Sequence, residues 1–187
     1  MLAYVFWHWH KDTVSQNQYE ADLQRFHEIL SLNKPAGFNG STVFSIEKAD
    51  WLQTPGTVYE EWYLLDDSAA MDPLNQAAVH DACEEPHNTV ARNAAGGAAG
   101  LYLLRYGNET LSKARFATWI NKPEQMSYRD FYQSLESLCS QPGIALWGRQ
   151  MVLGPTTEFC LHSENQPTLP AQYGEKIHHL SCFWPKS

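Results

Sequence analysis

Two histidines one residue apart, His8 and His10, stand in the stretch Ala3-Tyr4-Val5-Phe6-Trp7-His8-Trp9-His10-Lys11, and a glutamate, Glu61, stands in Val58-Tyr59-Glu60-Glu61-Trp62-Tyr63-Leu64-Leu65. An imidazole beside a carboxylate can move protons near neutral pH. The carboxylate fixes the tautomer and favours the charged ring, whereas burial opposes charge. Two rings on one strand face with a carboxylate are also compatible with two-His-one-carboxylate iron chemistry. The third reading is that both rings are hydrogen-bonded lining residues with no chemistry. No Ser/His/Asp order, Walker loop, dinucleotide-binding glycine fingerprint or HExxH helix occurs, so those chemistries are set aside.

The elements that must position these groups can be read from periodicity. Residues 3–10 alternate with a period of two, placing Ala3, Val5, Trp7 and Trp9 on one face and Tyr4, Phe6, His8 and His10 on the other. Ser15 caps a predicted helix through about Asn33, with Tyr19, Leu23, Phe26 and Leu30 as its apolar stripe and Ile29 at the margin. Lys34-Pro35-Ala36-Gly37 ends it. Strands are predicted at 41–46 and 58–65, separated by a loop with Trp51 and Pro55-Gly56. Asp66-Asp67-Ser68 caps a helix over about 69–84, Pro86 starts a short helix through about Asn93, Gly96-Gly97 ends it, and 100–106 is a fourth strand. The order is β-α-β-β-α-β.

The second half shortens the same pattern: strand 114–121, helix 127–140 with Tyr128, Phe131, Leu135 and Leu138 inward, strands near 145–153 and 157–163, a turn near 170–176 and a last strand at 177–183. Residues 3–11 align without a gap on 114–122, so that Val5 meets Phe116, His8 meets Trp119 and His10 meets Asn121. Glu61-Trp62-Tyr63-Leu64-Leu65 aligns likewise on Glu158-Phe159-Cys160-Leu161-His162. The predicted organisation is α+β, with one ferredoxin-like unit at 1–107, a shorter one at 113–187 and a linker at 108–112. This duplicated pattern resembles the dimeric α/β-barrel superfamily in a single-chain form. The resemblance implies two sheets facing each other across a lumen, with helices outside. Members include small monooxygenases, cyclases, haem-binding chlorite dismutase relatives and proteins of no known activity, so fold alone assigns no reaction.

In such a barrel each sheet packs one face on its helices and turns the other to the lumen. Aligning the halves assigns Val5, Trp7, Trp9, Trp62 and Leu64, with Phe116, Thr118, Ile120, Phe159 and Leu161, to the helices. Tyr4, Phe6, His8, His10, Glu61 and Tyr63, with Arg115, Trp119, Asn121, Glu158, Cys160 and His162, are assigned to the lumen. A few polar groups among aromatics is what a ligand cavity needs. In a ferredoxin-like sheet the first strand lies antiparallel beside the third, which is expected to bring the His8 and His10 end near Tyr59 and Glu61. His8, His10 and Glu61 are the candidate catalytic residues. Tyr4, Phe6, Tyr63, Arg115, Trp119 and His162 are the candidate ligand contacts, Arg115 and His162 forming an anion-binding pair. Three readings follow: a cofactor-independent oxygenase, isomerase or cyclase using the His/Glu pair; a noncatalytic, stress-associated protein holding a metabolite or haem without turnover; or a structural member whose barrel is filled by its aromatics. Haem or iron is the cofactor the lumen would admit.

Composition limits the partners. A formal net charge of −8 without any basic run disfavours nucleic acid and anionic membranes, whose phosphates need clustered Lys and Arg. No apolar run approaches the length of a membrane span. Cys83, Cys139, Cys160 and Cys182 show no zinc or CxxC spacing and are expected as reduced thiols of a cytoplasmic protein, a monomer or homodimer with a small-molecule ligand. His87 is expected as a surface or helix-packing residue, with haem ligation the alternative. His178 and His179 alternate across the last strand, so at most one enters the lumen, and Arg149 is a further lumen candidate.

Overall fold

The alternating first stretch forms strand β1 (Leu2–His10), and Ser15 caps α1 (Gln16–Asn33) by accepting a hydrogen bond from Gln18 N at 3.3 Å. β2 (Phe38–Ile46), β3 (Val58–Leu65), α2 (Met71–Val79), α3 (Asp81–Asn93) and β4 (Ala94–Gly107) complete the first half. β5 (Phe116–Ile120), α4 (Tyr128–Cys139), β6 (Ile144–Arg149), β7 (Phe159–Ser163), β8 (Lys176–His179) and β9 (Ser181–Trp184) follow. This computed structural model describes residues 1–54, 56–108, 111–155 and 157–185. Residues 109 and 110 of the expected linker, and Pro55 of the expected loop, lie outside the described residues.

The strands form one antiparallel sheet in the order β8-β5-β7-β6-β4-β1-β3-β2-β9. Within it β4-β1-β3-β2 and β8-β5-β7-β6 repeat the ferredoxin-like order, and β4 pairs with β6 to join the two. The outermost strands, β8 and β9, are consecutive in the chain with only Leu180 between them. The C-terminal segment therefore lies along both sheet edges and nearly closes an α+β barrel, which leaves few unpaired edge groups. Leu180 N donates to Arg115 O at 2.8 Å at this crossing. Among the described residues no helix is long and apolar enough to cross a membrane.

Several elements differ from expectation. The last strand, predicted over 177–183, is split at Leu180 into β8 and β9 on opposite sheet edges. The helix predicted over 69–84 breaks at His80, whose backbone is extended, and Asp81, whose φ is 50°. Pro86, expected to start a helix, sits inside α3 with its ring buried. Gly96 and Gly97 do not end a helix; they lie in β4 because aromatic rings cover them. A Cβ on Gly96 would come within 2.7 Å of Trp9, and one on Gly97 within 2.5 Å of Phe6, so only glycine lets β4 run under these rings.

The barrel interior is a packed aromatic core. Trp7 and Trp62 from the first half meet Trp119 and Trp147 from the second, with Tyr102 between, at ring separations of 5.3–6.3 Å. This corrects the face assignment of the first half. Val5, Trp7, Trp62 and Leu64 face the lumen, whereas Tyr4 and Tyr63 pack toward the helices with Phe26, Leu30 and Leu74. In the second half Ile120, Phe159 and Leu161 pack on α4, and Trp119, Cys160 and His162 face inward, as expected. The physical reason is register: the gapless alignment places Trp7 on Thr118, yet Trp7 and Trp119 share the interior. With a period of two, a one-residue offset exchanges the faces.

Trp62 touches Tyr102, Trp119, Trp147 and His162 and also donates to a buried carboxylate. Trp62→Ala is expected to lower unfolding free energy in urea by about 3–5 kcal/mol, the range for emptying an aromatic core site. A loss below about 1 kcal/mol would mean that the lumen is not tightly filled.

Candidate functional site

β1 and β3 run antiparallel with Phe6 opposite Glu61, Tyr4 opposite Tyr63 and His8 opposite Tyr59. His8 is thus diagonal to Glu61 on the face that meets the helices, within side-chain reach. The contact expected between them forms: His8 Nε2 lies 3.1 Å from Glu61 Oε1. The helices add what the strands lack. α1 brings His27, whose Nε2 is 3.2 Å from the same Oε1, and Tyr19, whose hydroxyl is 2.7 Å from His8 Nδ1. Tyr63 donates to Glu61 Oε2 at 2.5 Å, and Ser41 Oγ lies 2.8 Å from His27 Nδ1.

Each of these groups is buried, which makes their mutual satisfaction obligatory. Burial opposes ionisation of Glu61, but the His8 and His27 rings beside it outweigh burial and hold the carboxyl well below the usual range. Glu61 is therefore a fixed anion. Burial first, and then the Glu61 charge, push the Tyr4, Tyr19 and Tyr63 hydroxyls upward, so these phenols stay neutral donors. His8 differs from its neighbours in one respect. Although it is only 1% exposed, its Nε2 has no aligned hydrogen-bond partner among the described residues, because the approach to Glu61 is close but off-axis.

His8 borders a cavity of about 450 Å³ between the sheet and α1, α2 and α3. Tyr4, Phe6, Tyr19, Glu61 and Tyr63 form one wall with it, and Phe26, Met71, Leu74, Ala78 and Val90 form much of the other. The site thus lies on the helix side of the first sheet and not in the lumen expected from aligning the halves. The volume and the mix of apolar wall and few polar groups suit a small organic ligand.

The other candidates sit elsewhere. His10 bonds Lys11 O through Nδ1 at 2.9 Å, does not meet Glu61, and is half-buried beside Tyr19. Trp119 and His162 belong to the packed lumen, and Arg115 is exposed, so no anion-binding pair forms with the buried His162. Arg149 turns to Pro155 O. Sequence reasoning missed His27 and Tyr19 as site residues. His27 lies four residues after Leu23 on the buried stripe, and a polar group there needs a buried partner.

It also missed Glu60, which faces the opposite way into the lumen. Trp7 Nε1 donates to Glu60 Oε2 at 2.8 Å and Trp62 Nε1 to Oε1 at 2.7 Å, with His178 Nδ1 at 3.6 Å. Burial raises the Glu60 carboxyl, but His178, His162 and the Trp62 donor together bring it below its ordinary value.

A haem in this cavity would find no lysine or arginine for its propionates among the described lining residues. Nor is any group of three or more His, Cys, Asp or Glu among the described residues arranged to hold a metal ion.

No protein-family model matches the chain, and no curated protein does either. Among solved structures, a candidate monooxygenase from Lactobacillus acidophilus superposes with a TM-score of 0.54 at 11% identity, covering 97% of this chain and 94% of its own. An anthrone oxidase-like protein covers 96% of this chain and 91% of its own at a TM-score of 0.49 and 11% identity. A candidate chlorite dismutase covers 97% and 95% at 0.47 and 10%. The first superposition shows a shared fold, an α+β barrel, and nothing of its activity.

The buried histidine of the lumen gives a pH signature. Burial, working against the Glu60 charge, pushes His162 down to about 4, from 6.5 in an exposed ring. The unfolded chain therefore binds a proton that the fold refuses. Stability present above pH 6.5 is lost as pH falls toward about 4, by roughly 3 kcal/mol in total. Glu61 has the same sign, but its contribution is lost only well below the ordinary carboxylate value. His162→Leu is expected to flatten the fall in urea-unfolding free energy between pH 7 and 5; an unchanged slope would contradict the assignment.

Proposed function

We propose that the cavity between the first sheet and its helices binds a small carbonyl compound, and that His8 acts there as a general base with Glu61 as its charge partner. The observation that carries this reading is the buried His8 Nε2, without an aligned hydrogen bond, at the wall of a largely apolar cavity. With the Nδ1 proton donated to Tyr19 Oη, the Nε2 lone pair accepts a proton from an activated C–H of the ligand. The positive charge that the ring acquires is met by Glu61 Oε1 at 3.1 Å. His27 and Tyr63 hold Glu61 in place, so the carboxylate need not reorganise when that charge appears. The neutral phenols of Tyr4 and Tyr19 are the donors available to the enolate oxygen.

Proton removal is the first step shared by an isomerase, a cyclase and a cofactor-independent oxygenase. The enolate is reprotonated elsewhere, closes a ring or reacts with dioxygen according to the ligand. The second reading, binding without turnover, is favoured by a different observation: Glu61 is already bonded by His27 and Tyr63, with His8 against the same oxygen, a network that also serves to rigidify a binding wall.

The two readings separate with 2-tetralone, an apolar ketone with acidic α-protons. Wild-type protein in D2O is expected to accelerate α-proton exchange, followed by NMR, and His8→Gln to lower the rate by about 10²-fold or more while changing affinity only a few-fold. Glu61→Gln is expected to act in the same direction, and melting curves identify any variant that fails to fold. Binding without accelerated exchange selects the noncatalytic reading; no binding refutes both.

A further inference from the structure

The cavity has a second polar place, on its helical wall. His87 of α3 lines it, with Asn75 of α2 at the exposed rim. The break at His80 and Asp81 is what folds α3 back beside α2 and sets both residues on this wall. His87 is half-buried, follows the buried Pro86, and rests edge-on against Phe26 at 5.8 Å. Its Nδ1 is 3.4 Å from Asn88 Oδ1, and its Nε2 has no partner among the described residues. The apolar lining of the cavity includes Met71, Leu74, Ala78, Val79 and Val90.

Charge narrows the ligand further. Glu61 is the only carboxylate among the described lining residues, and no lysine or arginine stands there. An anionic ligand would meet the buried Glu61 charge with no counter-charge, while a cation would find that carboxylate already held by His8, His27 and Tyr63.

Resting on the binding reading above, we infer that the cavity selects a neutral, mainly apolar ligand with two polar groups, a carbonyl beside His8 and a hydroxyl or second carbonyl hydrogen-bonded by His87. His87 is then a specificity residue, touching the part of the ligand that does not react. A site built to hydrogen-bond a substrate group discriminates against the analogue that lacks it, because its own polar atom is left unpaired.

The test compares 2-tetralone with 6-hydroxy-2-tetralone, which adds a neutral hydroxyl at the far end, using calorimetry at pH 7. Wild-type protein is expected to bind the hydroxy ketone about tenfold more tightly, the worth of one additional hydrogen bond. His87→Leu is expected to reduce that ratio to about twofold or less, and His87→Gln, which keeps a donor, to retain most of it. The 6-carboxylate analogue is expected to bind at least about tenfold more weakly than 2-tetralone. Equal binding of the two neutral ketones by wild type, a preference that survives in His87→Leu, or tight binding of the carboxylate overturns the inference while leaving the cavity as a binding site. If no ketone binds, the binding reading fails, and this inference with it.

Discussion

β3 carries two glutamates in succession, and both are almost wholly buried, Glu60 at 0% and Glu61 at 3% exposure. Successive side chains on a strand leave by opposite faces, so one carboxylate enters the barrel interior and the other enters the layer between sheet and helices. Neither position is tolerable without compensation. Much of the arrangement around β3 supplies it: two indole N–H groups and His178 on one side, two imidazoles and a phenol on the other. The register of β1 against β3 and the docking of α1 are both fixed by these contacts.

The two faces nevertheless differ in kind. Around Glu60 the second half of the chain contributes Trp119 and Trp147, and the large rings pack against one another in the lumen. Around Glu61 the opposite layer is helical, with α2 and α3 meeting at a break, and small residues such as Ala78 and Ala91 leave space. Packing density at one face and its interruption at the other are what separate a core from a binding site. The polar groups at the cavity wall are held by the same network that stabilises the layer, so rigidity and chemistry have one source.

The element order and the antiparallel neighbourhood of His8 and Glu61 were legible in the sequence, because strand alternation, helix stripes and turn residues are local signals. The sheet order then followed from ferredoxin-like topology. The faces were not legible in the first half. Tyr, Phe, Trp and His alternate with Val and Trp there, so both sides of β1 read as coverable, and the alignment with 114–122 imposed the wrong parity. Tyr19 reads only as helix stripe and His27 carries no signal of its own, because a tertiary contact of 34 residues' separation leaves no local trace. The cavity itself arises from the α2–α3 break, where a proline inside a helix and a positive φ at Asp81 run against local preference.

The central claim is that the binding space lies on the helix side of β1 and β3, not in the barrel lumen. The most direct measurement is the set of NOEs between bound 2-tetralone and protein carrying 13C-labelled methyl groups and 15N-labelled indoles. Contacts to the methyls of Met71, Leu74 and Ala78 are expected, with none to the indole protons of Trp62 or Trp147. NOEs to those indoles without contacts to the helix methyls would place the ligand in the lumen and contradict the claim.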